Sequence, residues 1–563
     1  MKPVADGRTV DLLVVGSGGG GLVAALTAAA SGQEVLVIEK LSTVGGSTAL
    51  SGGALWIPNS SLLREGGLTD SDDAAWTYVD NLVGDVGRAT RAERKRAYLT
   101  QGPRMIDFLR EQGVALKHVA NYPDYYASRP GGCTGGRSIE AVVFDGKALG
   151  TDYARVSKRN FSAPAMVIRA QDLSGIANGF RTWNSFRANV GMLRRTVVGL
   201  LLGRKMLSMG MALVGQLLLA TQRRNIRIVS DTPLLRLRTG VDGQITGATV
   251  RHNGKEMTVH SRHGVVLACG GFARNAQMRA TYQPQLGGDW THASAGDEGD
   301  GIRAGMEVGA AVEQMDEAWW MPTFVMADGS RHMCGFERSK PHSIIVDVAG
   351  ERLCNESGSY MEIGQRMFAR QAKLGHRKPF WLILDALHRR HYPFTSWPPG
   401  LTPRIAFDSG FMLRAATLEE LAQRCGIDAA GLKLTVQRYN RMSKVGSDED
   451  FHRGDDPCDR FYGDPSVKPN PTMGAIEHAP FYAVALYPGD IGTNGGLLTD
   501  EHARVLREDG TVIEGLYATG NCTASVMGRA YPGAGATIGP SMVFGYVAAQ
   551  QALRGIESSA GRA

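Results

Sequence analysis

The sequence predicts an α/β protein with a Rossmann-like dinucleotide-binding domain, discontinuous along the chain and interrupted by an α+β second domain. Three observations predict it. Asp11-Leu-Leu-Val-Val-Gly16-Ser17-Gly18-Gly19-Gly20-Gly21 is a short apolar strand running into a glycine turn, and Leu22–Ala30 then has helix-forming composition. Two more apolar strand-and-glycine turns stand far downstream, Gly264-Val-Val-Leu-Ala-Cys-Gly270-Gly271 and Gly515-Leu-Tyr-Ala-Thr-Gly520-Asn521. The length of 563 residues exceeds what one hydrophobic core usually organises.

In chain order, Gly16, Gly18 and Gly21 satisfy GxGxxG, with Ser17, Gly19 and Gly20 in the same turn. That spacing gives a tight turn, close approach of backbone to a pyrophosphate, and helix–strand packing. The next apolar run ends at Glu39, 23 residues after Gly16, where a carboxylate holds a ribose hydroxyl; Lys40 follows. A second small-residue loop, Gly45–Gly53, suits the wrapping of a flavin and supplies Gly46, Ser47, Thr48, Ser51, Gly52 and Gly53. The run 515–521 looks like the second cofactor-contact strand of two-domain flavoproteins of the GR2 type, adding Gly520 and Asn521. A helix opening between Gly535 and Ser541 would aim its positive end at the isoalloxazine N1–C2=O. FAD, not NAD, is the expected cofactor. These turns and loops resemble those of the succinate dehydrogenase/fumarate reductase flavoproteins, whose covalent-FAD members carry a histidine in this loop; 45–53 has none, so the resemblance implies non-covalent FAD.

Glycine makes up about 13% of the chain (72 residues), nearly twice the average usage of about 7%, without a collagen-like period. Seven scattered cysteines with no CxxC argue for reduced thiols and against a disulfide framework, and no metal is expected. The opening MKPVADGRTV has no apolar core of the kind a secretory signal needs, so a cytoplasmic protein is expected.

The formal net charge of +7 is unevenly placed. Between Tyr153 and Arg224 stand twelve basic residues and one acid, Asp172, so this stretch carries +11 and the remainder −4. It is also apolar, through Val197–Leu202 and Met206–Ala220; the longer run has 15 uncharged residues. That is short of the roughly 20 needed to span a bilayer. Basic flanks around short apolar helices suit the membrane interface, so residues 155–224 are expected to dock peripherally on the inner face of the cell membrane. The competing reading is a helical hairpin packed on the protein's own core. No nucleic-acid motif accompanies the charge.

The plan resembles the succinate dehydrogenase/fumarate reductase flavoprotein superfamily. The segments expected around the flavin, however, offer aromatic and hydroxyl groups where dicarboxylate enzymes use Arg and His. At PDYY (123–126), DEAWW (316–320), NESxxY (355–360), FHRGDDP (451–457), GTNGGLLTD (492–500), GLYATGN (515–521) and GRAYPGAG (528–535), the chain resembles 3-ketosteroid Δ1-dehydrogenases. The long basic segment resembles the insertion of membrane-associated members that take cholest-4-en-3-one.

This resemblance implies dehydrogenation of a 3-oxo-Δ4-steroid to the 1,4-dien-3-one, with cholest-4-en-3-one or androst-4-ene-3,17-dione as substrate and an external quinone- or dye-like electron acceptor. Tyr531 and the Gly535 N–H would bind the C3 carbonyl. Tyr360 would remove the C2 proton, Tyr125 would support its phenolate, and a hydride would pass from C1 to flavin N5. Tyr122, Trp319 and Trp320 are candidates for the steroid slot; His452 and Asp456 of FHRGDDP look catalytic on composition, but a polar loop clasp is the favoured reading. The expected division is 1–307 with 493–563 for FAD, 308–492 for substrate, and 155–224 projecting from the FAD domain. Alternatives are a Δ4-(5α)-dehydrogenase, a fumarate-reductase-like enzyme, or a flavin-binding membrane scaffold without turnover.

Overall fold

The computed structural model describes residues 6–158 and 166–560. Leu12–Val15 lies inside a six-stranded sheet ordered Arg504–Leu506, Val512–Ala518, Val265–Leu267, Leu12–Val15, Val35–Ile38, Arg227–Val229. All neighbours are parallel except the first pair. In register, Val14 faces Val37 on one side and Val266 on the other. Leu12–Val15 is wholly apolar and buried, as a parallel strand covered on both faces requires. The two distant glycine turns thus arrive beside the first one because their strands flank it.

Helix Gly19–Ala30 covers one face, and helix Ile538–Ala560 crosses it where both backbones are bare: a Cβ on Gly545 would stand 2.2 Å from the Gly20 oxygen. A Cβ on Gly21 would stand 2.1 Å from the Gly16 oxygen, so that glycine serves helix–strand packing. The other face carries the antiparallel strands Leu234–Thr239, Ile245–His252 and Lys255–Ser261, sharing a core with Leu13, Val15 and Leu36.

A second sheet is ordered Arg331–Met333, Ala318–Val325, Phe481–Thr493, Phe380–Leu384, Ser343–Val346, and Met412–Ala415 also pairs with Phe481–Thr493. Its pairings are all antiparallel, and helices Tyr360–Leu374 and Ala429–Val445 pack on it. All seven cysteines are free thiols.

The basic apolar segment divides in two. Its part at 159–165, including Arg159, lies outside the described residues. Met206–Leu207 pairs with Phe144–Asp145, and helix Gly210–Arg223 is core: Leu213, Val214, Leu217 and Leu218 are buried. It backs the second glycine loop, where a Cβ on Gly45 would meet Val214 at 2.7 Å and one on Gly210 would meet the Thr48 oxygen at 2.1 Å. The expectation that Met206–Ala220 lies in a membrane interface is therefore corrected: this run holds up the cofactor loop. Helix Trp183–Leu201 is different. Trp183, Phe186, Val190, Leu193, Val197 and Leu200 recur every three or four residues on one exposed stripe.

Candidate active site

One cavity is lined by residues of both sheets, among them Val15, Ile38, Met321 and Ile491. Its cofactor end is walled by Gly16, Ser17, Gly18, Gly19, Glu39, Lys40, Gly46, Ser47, Thr48, Ser51, Gly52, Gly53, Gly520, Asn521 and Ser541. Gly20 and Gly21 are not on this wall, because their bare Cα atoms face Ser541 and Gly16 in helix packing. Gly16 has φ +105°, and a side chain there would strike the Ala268 oxygen at 2.4 Å.

The donors fit a dinucleotide. Helix Gly19–Ala30 has a glycine cap without side-chain bonding and no acid in its first turn, so its positive end opens toward an anion. Gly19 N–H donates to Thr48 Oγ1 at 3.0 Å, fastening the two glycine loops together. Glu39 accepts from the Ser17 N–H at 3.0 Å and the Leu41 N–H at 2.9 Å, which fixes its carboxylate at the strand end. Thr537 and Ile538 bring a second helix start to the cavity, again with no acid in the first turn. Lys40 is tied to Glu298 and, at 2.7 Å, to Asp300.

Sequence reasoning passed over Asp297. It is buried in the wall and accepts from the Ser47 hydroxyl at 3.0 Å; burial pushes its carboxyl up to about 7. Its signal was an acid inside the glycine-rich run 296–301.

At the far end three phenols converge. Tyr360 opens helix Tyr360–Leu374; Tyr531 and Gly535 stand on the loop before the last helix; Tyr125 is held there by its N–H donating to the Pro532 oxygen at 2.9 Å. Ring centroids are 4.8 Å apart for Tyr360–Tyr531, 5.6 Å for Tyr125–Tyr360 and 5.5 Å for Tyr125–Tyr531. The Tyr531 hydroxyl lies 2.9 Å from the Thr537 hydroxyl. Tyr125 lines the cavity and Tyr126 does not. Burial pushes all three phenols above the ordinary phenol value.

Tyr122 is also on the wall. Its ring centroid is 6.5 Å from that of Tyr125, and its hydroxyl meets that of Tyr462 at 2.9 Å, a residue with no sequence signal of its own. Met321, Met333, Phe336, Leu173 and Ile491 add apolar wall to the cavity. Ala170 and Leu173 come from the basic segment, and Arg181 pairs with Asp464 at 2.9 Å, so the segment bridges to the second sheet's region instead of only projecting.

Trp319 and Trp320 are corrected. Neither is on the cavity wall, since the strand Ala318–Val325 is buried on both faces and both indoles are used in packing. Trp319 stands edge-on to Tyr531 at 5.4 Å and donates to Asn521 Oδ1 at 3.0 Å. Trp320 packs on Phe368 at 4.5 Å. His292 and Arg338, which also line the cavity, were missed. Burial drops the imidazole to about 4, leaving it neutral, and Arg338 Nε and Nη1 donate to the backbone carbonyls of Cys334, Glu356 and Gly358. In FHRGDDP, Asp456 caps helix Pro457–Phe461 and accepts from Ser128, as a clasp should. Among the described residues no cluster of metal-ligating side chains occurs.

This cavity and sheet define an FAD-binding flavoprotein, and a family model described as FAD binding domain matches residues 11–538. The 3-oxosteroid 1-dehydrogenase of Mycobacterium tuberculosis is 41% identical over 552 residues, covering 96% of this chain and 97% of the relative. The solved structure of the 3-ketosteroid Δ1-dehydrogenase from Sterolibacterium denitrificans, in complex with 1,4-androstadiene-3,17-dione, superimposes with a TM-score of 0.92 at 37% identity. The match covers 97% of this chain and 100% of that one. The 3-ketosteroid Δ4-(5α)-dehydrogenase from Rhodococcus jostii RHA1 shares the fold, with a TM-score of 0.69 at 23% identity over 98% of each chain. The chain belongs to the FAD-dependent 3-oxosteroid 1-dehydrogenase family.

Proposed function

We propose that this protein converts 3-oxo-Δ4-steroids to 1,4-dien-3-ones, with cholest-4-en-3-one preferred over androst-4-ene-3,17-dione. The observation that carries the reading is the convergence of the phenol rings of Tyr360, Tyr531 and Tyr125 on the wall of the cofactor cavity. A flat hydrocarbon fits apolar walls, and one carbonyl is all the polar group such a site has to hold.

Tyr531 and the Gly535 N–H donate to the C3 carbonyl, stabilising the negative charge that develops there as C2 is deprotonated. Tyr360 accepts the C2 proton. An unperturbed phenol has a pKa of about 10, and burial raises this one further, so the Tyr125 hydroxyl must stabilise the phenolate. Tyr122 and Tyr462 continue the line of hydroxyls and give the proton a route away. The two glycine loops would hold FAD without a covalent link, and the bound flavin would supply acceptance of the C1 hydride, its electrons leaving to an external quinone- or dye-like acceptor. Residues 1–307 and 493–563 hold the cofactor and 308–492 close over it; the confinement of the second sheet to 318–493 supports this division. With an artificial acceptor, turnover of cholest-4-en-3-one should exceed that of androst-4-ene-3,17-dione in kcat/KM; the reverse order would remove the side-chain preference.

The stripe on helix Trp183–Leu201 supports docking at an anionic membrane surface. Trp183 is 69% exposed, Leu193 62% and Leu200 69%, while Arg187, Arg194, Arg204 and Lys205 stand exposed nearby. An uncovered apolar stripe with basic flanks fits an interfacial helix. Among the described residues no helix is long and apolar enough to cross a membrane. Ala170 and Leu173 join this helix to the cavity wall, so a water-insoluble sterone would pass from lipid to site without crossing water. Burying each leucine contributes about 1.5–3 kcal/mol. Leu193→Glu/Leu200→Glu should therefore lower binding to phosphatidylglycerol vesicles at least tenfold while FAD stays bound. Unchanged co-sedimentation would exclude the helix as the docking element.

A further inference from the structure

The acid of Asp316-Glu317-Ala-Trp319-Trp320 has partners on three separate elements. Glu317 is buried, and its Oε2 accepts from Arg529 Nη1 at 2.9 Å and from Gln365 Nε2 at 3.3 Å. Its Oε1 accepts from Trp320 Nε1 and from the Ala318 N–H at 3.2 Å. Arg529 stands two residues before Tyr531, and its Nη2 is held by Asp316 at 2.7 Å. Gln365 lies on the helix that starts at Tyr360, and its Nε2 also donates to the Arg529 carbonyl at 3.1 Å. One carboxylate therefore fastens the loop that carries Tyr531 to the helix that carries Tyr360.

We propose that Glu317 is a positioning residue for the dehydrogenation, setting the Tyr360 hydroxyl against the Tyr531 hydroxyl through Gln365 and Arg529. The assignment rests on the catalytic reading given above. The surrounding packing makes the fastening stiff. A Cβ on Gly364 would stand 2.3 Å from Trp320 Cβ, so strand and helix are in direct backbone approach, and Trp319 stands edge-on to the Tyr531 ring. Burial favours the neutral acid at Glu317 and the Arg529 guanidinium opposes it, so the carboxylate and its cation are kept as a pair. None of these groups reaches the cavity wall, so none touches substrate. Supporting groups of this kind matter because a displacement of about 1 Å costs about 10²-fold in rate.

The test is a kinetic series on the FAD-loaded, full-length protein. Glu317→Gln should leave KM within about threefold and the FAD content unchanged, and lower kcat by about 30–100-fold. Arg529→Gln and Gln365→Ala should each lower kcat about tenfold, with the Glu317→Gln/Arg529→Gln pair no worse than Glu317→Gln alone, because the two act through one link. In a Tyr360→Phe background, Glu317→Gln should cost no more than about twofold, since the register of two hydroxyls no longer matters. Arg366→Gln, which breaks a surface pair with Glu362 on the same helix, should change nothing. A kcat for Glu317→Gln within twofold of native overturns the assignment. So does an equal factor in the native and Tyr360→Phe backgrounds, which marks general structural damage. If Glu317→Gln does not fold, Arg529→Gln and Gln365→Ala decide by the same two criteria. Native activity in Tyr360→Phe alone overturns the catalytic reading beneath, and is told apart by that single variant.

Discussion

Tyr360→Phe is expected to lower kcat by about 10²–10⁴-fold, the usual span for loss of a positioned base. Phenylalanine keeps the ring that packs on Tyr531 and Tyr125, so FAD content and thermal stability should stay close to native. The pH dependence has a defined sign. Only the ionised phenol accepts the C2 proton, and burial, then the neighbouring Tyr531 hydroxyl, hold Tyr360 above the ordinary phenol value. Native kcat should therefore climb steadily from neutral to alkaline pH, and the residual rate of the Phe variant should not. Steady-state rates from pH 6 to 9.5 check both statements. A variant within threefold of native, or one that keeps the alkaline rise, would move the base to another residue.

Tyr531→Phe removes one of two donors to the steroid carbonyl and leaves the Gly535 N–H. Loss of one such donor costs about 10²–10³-fold in kcat, or about 2.7–4 kcal/mol of transition-state stabilisation. The native hydroxyl also bonds Thr537 at 2.9 Å, so the variant frees that hydroxyl without emptying the loop. Exchange of C2 deuterium with solvent should fall by the same factor as dehydrogenation, because both need charge on the C3 oxygen. Unimpaired exchange with impaired dehydrogenation would place Tyr531 in hydride transfer alone. A protein that only bound flavin at a membrane would show neither effect.

The fold was legible where local sequence determines it. Leu12–Val15 with Gly16–Gly21 reads directly as strand and turn, because burial on both faces demands an unbroken apolar run and the crossing with Gly545 demands a bare Cα. The positions of Tyr360, Tyr531 and Tyr125 came from motifs, not from periodicity, and the structure brings their rings together. What was misread is a matter of faces. Met206–Ala220 and Val197–Leu202 are both apolar, and hydropathy alone does not distinguish a helix packed under Gly45 from one facing outward. Trp319 and Trp320 lie on a strand buried on both sides, so alternation gave no hint of which residue meets the cavity; Met321 does. Tyr462 was invisible, and the acid in the run 296–301 gave no hint of which role Asp297 has, because their roles depend on contacts with Tyr122 and Ser47, 340 and 250 residues away.

The most direct test of the central claim is anaerobic mixing of the purified yellow protein with one equivalent of cholest-4-en-3-one, following the flavin's visible band and identifying the steroid afterwards. The account predicts rapid loss of the band and recovery of cholesta-1,4-dien-3-one, with androst-4-ene-3,17-dione reacting in the same sense. No bleaching with either 3-oxo-Δ4-steroid, but bleaching with a 5α-3-ketosteroid or a dicarboxylate, would contradict it and dissolve the roles given to Tyr360 and Tyr531.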